Sequence, residues 1–345
     1  MRTAFLVAAA TIALALPAAA QEEPKGAPAP SEIVAAAPKA DWVAIPAEDL
    51  LVMTLAPDAD GKPRQVVIQL MPAPFSQGWV HNIRLFARAK WYDGISVNRV
   101  QDNYVTQWGD PNYDNPEATG QAKPLPEGLK VMGEAEYKVE LRQDQELIDR
   151  MSREAFFGNR ELNGIEKAMQ INGLNHDVYG EHAGVRNGWP VAMTSPDSPT
   201  DTYKLWPTHC YGMVGVGRNM SPDTGSGAEL YTVIGHAPRH LDRNIALVGR
   251  VIEGMQHLSS LPRGSGALGF YTAEEAAKRT PILSVRVASD LAPAEQPAFE
   301  YLSTESATFA TYAEAIANRR DPFFIVPAGG ADVCNIKVPV RRVSP

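Results

Sequence analysis

The chain has 345 residues, a formal net charge of -8, 44% hydrophobic and 21% charged residues, the composition of an ordinary globular protein. The acidic balance excludes a nucleic-acid role, which needs a basic surface. Past the first twenty residues no apolar run reaches the length that spans a bilayer, and nothing in the composition fixes an oligomeric state.

Met1-Arg2-Thr3, the apolar run Ala4 to Leu16 and the small residues Pro17 to Ala20 read as a secretory signal, residues 1–20, cleaved before Gln21. The expectation is an exported, periplasmic protein with no membrane partner. Residues 21–45, rich in Pro, Ala, Lys and Glu at their start, read as a flexible leader. Asp49 to Leu55 and Gln65 to Leu70 read as a β-hairpin around the turn Pro57-Asp58-Ala59-Asp60-Gly61. Phe75 to Lys90 then places Trp79, Ile83, Phe86 and Ala87 on one helical stripe.

Val97-Asn98-Arg99-Val100 and Tyr104-Val105-Thr106-Gln107-Trp108 read as two short strands about the polar break Gln101-Asp102-Asn103. Residues 111–128 form a Pro- and Gly-rich loop, and Asp144 to Met169 carries a helical pattern through Leu147, Ile148, Met151, Phe156 and Leu162. Pro281 to Val287 reads as a closing strand, Ser303 to Arg320 as a helix, and Phe323 to Val326 and Val333 to Val338 as two further strands.

Three blocks carry a family pattern. The first is Tyr92-Asp93-Gly94, Val97-Asn98-Arg99-Val100, Tyr104 and Gln107-Trp108-Gly109-Asp110-Pro111. The second is Glu229-Leu230-Tyr231-Thr232-Val233-Ile234-Gly235, His240-Leu241-Asp242 and Val248-Gly249-Arg250-Val251-Ile252-Glu253-Gly254-Met255. The third is Ala73-Pro74 with Asn82 in the amphipathic stretch upstream. In this order they resemble the cyclophilin-type peptidyl-prolyl cis-trans isomerases. The resemblance implies a mainly β fold, a closed antiparallel β-barrel capped by helices, with an inserted, partly helical segment. The barrel domain is expected over residues 46–290 with the insertion at about 112–208, and residues 291–345 as a C-terminal extension packed on the core.

The same resemblance implies the chemistry. Arg99 is the expected catalyst, and Tyr104, Val105, Gln107, Glu229, Leu230, Tyr231, His240 and Val248 are the expected substrate-binding residues. Proline-containing polypeptides are the expected partners, and no cofactor is implied. The sequence departs from the pattern at Val97, Asn98 and Trp108, where the family carries Phe, His and Gly. Those departures support a rival reading, a catalytically weak cyclophilin-like peptide-binding module or chaperone.

Other chemistries find little support. His236 and His240 have a ligand-like spacing, but Pro238 breaks any helix between them, so no metal is expected. Gly225-Ser226-Gly227 lacks the Lys-Ser/Thr ending of a phosphate loop, and there is no G-x-S-x-G elbow. The two cysteines, Cys210 and Cys334, leave two readings open. They form a disulfide that ties the extension to the core, or they are separate buried thiols, because sequence gives no Cβ separation.

Overall fold

The structure is a computed structural model that describes residues 26–113, 115–142, 177–194 and 202–343. The signal segment and the helical pattern over 144–169 lie outside the described residues. The chain runs through helix α1 (Pro30–Ala35), β1 (Trp42–Ile45), β2 (Leu50–Leu55), β3 (Arg64–Leu70), helix α2 (Gln77–Arg88), β4 (Ser96–Val100) and β5 (Val105–Gly109). In the insertion come β6 (Val139–Arg142), β7 (His182–Arg186), β8 (Trp189–Thr194) and β9 (Thr202–Pro207). Then follow β10 (Met213–Val216), β11 (Leu230–Val233), β12 (Leu247–Glu253), the short helix α3 (Gln256–Ser259) and β13 (Ile282–Val287). The extension supplies β14 (Phe299–Leu302), helix α4 (Ala307–Ala317) and β15 (Val340–Arg342).

Eight strands form one antiparallel sheet in the order β13-β2-β3-β12-β10-β11-β5-β4. It curls until its edges meet. The Val97 amide donates to the Thr280 carbonyl at 2.9 Å and the Ile282 amide to the Ile95 carbonyl at 2.8 Å. Across the same seam Arg286 makes a two-pronged ion pair with Asp93, at 2.7 and 2.8 Å, the geometry in which a guanidinium binds a carboxylate best. A nearly closed barrel leaves few strand edges open to a second chain.

Side-chain alternation sorts the barrel's two faces. From β2, Leu51, Met53 and Leu55 point into the main core, whereas Leu50 and Val52 pack outward against Ala288 and Phe299 of the following segment. Helix α2 plugs the barrel because Trp79, Val80, Ile83, Phe86 and Ala87 fall at helical spacing and are buried in that core. Asn82, also buried on α2, donates to the carbonyls of Lys130 and Ser226 at 2.9 and 3.0 Å and accepts the Lys130 amide at 2.8 Å. An amide inside the core is tolerated because these bonds satisfy it.

The described part of the insertion, on either side of the segment expected to be helical, is a four-stranded antiparallel sheet in the order β6-β9-β8-β7. The leader differs from expectation, since α1 and β1 both fall within residues 21–45 and β1 pairs with β14. Trp42 of β1, Trp206 of β9, and Leu302, Phe309 and Tyr312 of the extension share a second hydrophobic cluster. These segments are ordered by burying one another's apolar faces.

Phe323 to Val326 is not a strand. Phe323 and Ile325 are exposed, and the flanking Pro322 and Pro327 restrict the backbone and remove donors that a ladder needs. Val333–Asn335 is a 3-10 turn rather than the start of a strand, its Asp332 side chain accepting the Cys334 amide. The pairing strand falls later, at β15. Cys210 and Cys334 are joined by a disulfide that ties this extension to the segment leading into β10.

Candidate active site

Register places the site. On adjacent strands β4, β5, β11 and β10, Arg99 stands opposite Gln107, Gln107 opposite Tyr231, and Tyr231 opposite Gly215. One row across four strands therefore brings together residues more than a hundred positions apart in sequence. Their strand neighbours point the other way, with Val97, Val100, Trp108 and Leu230 in the barrel core. The site is thus built on the outer face of the wall whose inner face is the core.

Arg99 is held by three acceptors. Its Nε donates to the Leu268 carbonyl at 2.7 Å, Nη1 to Gln107 Oε1 at 3.1 Å, and Nη2 to Gln101 Oε1. The guanidinium lies over the rings of Tyr104 and Phe270, at 5.6 and 5.5 Å from their centroids. Burial pulls its pKa down from the ordinary arginine value, while Tyr104, Glu229 and Tyr231 act in the opposite sense. The group remains a cation, because arginine does not deprotonate in proteins.

Gln107 is itself oriented. Its Nε2 donates to Glu229 Oε2 at 2.6 Å, and a carboxylate can only accept. That fixes the amide oxygen toward Arg99. Glu229 is buried, so its carboxylate serves the wall of the site.

Beside this polar corner lies a small apolar cluster of Val105, Tyr231 and Val233, with Tyr104 and Ile245 packed on it. His240 sits exposed at the rim, its ring parallel to that of Tyr104 with centroids 6.5 Å apart. Arg99, read from sequence as the catalyst, and Tyr104, Val105, Gln107, Tyr231 and His240, read as substrate-binding, come together here, with Glu229 buried behind Gln107. Leu230 and Val248 do not, because alternation turns both into the barrel core. Trp108 is buried in that core as well and leaves the outer face free.

Sequence reasoning missed Gln101, Ile245, Leu268 and Phe270. Phe270 joins the site through an isolated bridge to Arg99, supplied by a segment far downstream. Only the glycines at 264, 266 and 269 mark that segment as a tight approach. A Cβ on Gly264 would come within 2.2 Å of the Gly269 carbonyl oxygen. His209 and Asp242, behind Tyr231, were missed too. Among the described residues there is no group of three or more His, Cys, Asp or Glu side chains that could hold a metal ion.

Comparison with known proteins agrees with this geometry. Residues 65–287 match the sequence model of the family described as cyclophilin type peptidyl-prolyl cis-trans isomerase/CLD. No match was found among curated proteins. In fold the chain is similar to the crystal structure of cyclophilin AquaCyp293 from Hirschia baltica, with a TM-score of 0.61 at 20% identity, over 87% of this chain and 93% of that one. A match across most of the chain, carried by a barrel of the same fold, makes this protein a member of the cyclophilin-type peptidyl-prolyl cis-trans isomerases, enzymes that bind proline-containing peptides.

Proposed function

We propose that this isomerase works on X-Pro bonds of exported proteins, with Arg99 stabilising the twisted amide beside an apolar proline pocket. Rotation about the bond faces a barrier of roughly 18–20 kcal/mol because the amide is resonance-stabilised. Twisting removes that resonance, so the nitrogen becomes pyramidal and basic while the carbonyl becomes a localised double bond. A donor that is stronger toward the twisted state lowers the barrier with no covalent step.

The observation that carries the reading is the way Arg99 is held. Three of its N-H groups are engaged by Leu268, Gln107 and Gln101, and a guanidinium has five. The remaining two have no partner among the described residues, and they sit on a fork that no longer has to be ordered. One charge-assisted bond worth about 1.5–3 kcal/mol accounts for about ten- to a hundredfold in rate. The rest is assigned to the pocket, where Tyr231, Val105 and Ile245 hold the prolyl ring and exclude water, so that the charge acts in a low dielectric.

Trp108 supports the enzyme over the weak binding module, because a side chain buried in the barrel core does not obstruct a cleft on the outer face. Export is supported by the apolar run at the start of the chain and by the Cys210–Cys334 disulfide, a bond that persists in oxidising compartments. The test is cis-to-trans exchange of short X-Pro peptides by the purified protein beside its Arg99→Ala variant. Loss of most of the acceleration in the variant supports the mechanism; unchanged acceleration rejects Arg99 as the catalytic donor.

A further inference from the structure

Behind the apolar cluster of Val105, Tyr231 and Val233 runs a buried polar chain that the isomerase reaction does not require. The Tyr231 hydroxyl lies 2.8 Å from His209 Nε2, and His209 Nδ1 lies 2.8 Å from Asp242 Oδ1. The same carboxylate oxygen accepts the His209 amide at 2.9 Å, and Asp242 Oδ2 accepts Arg239 Nε at 2.6 Å. Arg239 Nη2 then donates to Asp177, at the near edge of the insertion. Exposure along this chain is 4% for Tyr231, 0% for His209, 2% for Asp242, 3% for Arg239 and 6% for Asp177.

Direction follows from donor chemistry. Asp242 can only accept, so the imidazole proton sits on Nδ1 and Nε2 presents its lone pair. The Tyr231 hydroxyl must therefore donate to His209. Its ring is packed on the other side against Gly215, where a Cβ would come within 2.3 Å of Tyr231 Cζ and Oη. A phenylalanine would fill an apolar pocket with no buried hydroxyl to satisfy. Burying this hydroxyl, an imidazole and three charged groups costs free energy unless each is bonded. What the chain yields is a ring fixed in position as well as in place.

We propose that His209 is a positioning residue for the proline pocket: it holds the Tyr231 ring by its hydroxyl, and Asp242, Arg239 and Asp177 extend that constraint to the insertion. The inference rests on the reading of Tyr231 as the pocket's floor. His209 touches no substrate; it acts only through the ring. Once the hydroxyl is gone, His209 has nothing left to hold.

A double-mutant cycle tests this, with kcat/KM for X-Pro peptides and the Kd for a proline-containing peptide read on Tyr231→Phe, His209→Leu and the pair. Each single change lowers kcat/KM about fivefold to tenfold, the worth of one hydrogen bond, and the pair is no worse than Tyr231→Phe alone. Effects that multiply overturn the proposal, as does a His209→Leu protein that melts lower with kcat/KM and Kd unchanged. Should His209→Leu fail to fold, the nitrogen-15 resonances of His209 in the intact protein and in Tyr231→Phe decide. An acceptor-type Nε2 that shifts when the hydroxyl is removed supports the relay, and an unmoved one overturns it. Arg99→Ala run alongside separates the two claims, since full activity there rejects the arginine mechanism while the cycle still reads the ring.

Discussion

Arg99 and Gln107 illustrate how a catalytic corner is assembled from groups that fix one another. The guanidinium satisfies three acceptors on three different segments, a task for a planar fork that a lysine ammonium cannot perform. Arg99→Lys is expected to lose nearly as much activity as Arg99→Ala, about ten- to a hundredfold in kcat/KM, although the charge is kept. A lysine variant with near-native kcat/KM would mean that charge alone suffices. Glu229→Leu frees the Gln107 amide to rotate and leaves its Nε2 without the carboxylate it now meets at 2.6 Å. A severalfold fall in kcat/KM is expected, of the order of one lost hydrogen bond. Arg99, Gln107 and Tyr231 lie in short strands and Tyr104 directly precedes one, and recognisable neighbours made all four legible in the sequence. Leu268 was not, being 169 residues from Arg99 and contributing only a carbonyl. Leu230 and Val248 were misread because a motif shows which residues are adjacent but not which face of the strand each one takes.

At the scale of elements, the barrel strands other than β10 announced themselves, and β10 and the insertion's strands did not. In β8 and β9 a proline sits inside the paired run, Pro190 opposite Val185 and Pro207 opposite Val191, and proline argues against a strand when read locally. The error at Phe323 to Val326 is the converse. An apolar β-branched run makes a strand only if a partner edge exists, and Ile325 is 96% exposed. Strand proximity also gives a test at Gly215. Because a Cβ there would strike the buried Tyr231 ring, Gly215→Ala is expected to displace that ring and weaken binding of proline peptides. Titration calorimetry with a proline-containing peptide checks this, and an unchanged Kd would mean that the ring relaxes without consequence. The disulfide acts at the same scale, closing a loop between residues 124 apart. Cys334→Ser is expected to lower the urea midpoint, with roughly 5 kcal/mol as the ceiling set by the chain-entropy model. A midpoint equal to that of the oxidised wild type would show that the extension is held by packing alone.

Across the whole molecule, the family pattern covers residues 65–287, while the second hydrophobic cluster unites Trp42, the insertion sheet and the C-terminal helix. No local pattern signals such a meeting, since each partner looks like a loose appendage until the others are present. The polar chain from Tyr231 to Asp177 joins the insertion to the barrel wall, and it makes global stability depend on pH. Burial lowers the His209 pKa; the Asp242 bond opposes that shift, and Arg239 and His240 reinforce it. The unfolded chain then binds a proton at about pH 6.5 that the native chain still refuses. Below that pH the unfolded state binds more protons, so stability is full above about 6.5 and falls as pH drops toward the depressed native value. Asp93 acts in a lower window. Its bond to Arg286 holds its carboxyl below the ordinary value against the opposing effect of partial burial, so the seam's contribution is present above about pH 3.9 and disappears as pH falls through the native value. Urea midpoints measured from pH 7.5 down to pH 5 are therefore expected to decline in the wild type and to decline less in His209→Gln, while Asp93→Asn retains the wild-type slope in that range. Equal slopes for the wild type and His209→Gln would mean that burial leaves the imidazole unshifted and overturn this account, while a wild type that declines less than His209→Gln would mean that the imidazole is already protonated in the folded protein, with its charge accepted by Asp242 and the direction of the Tyr231 hydrogen bond reversed.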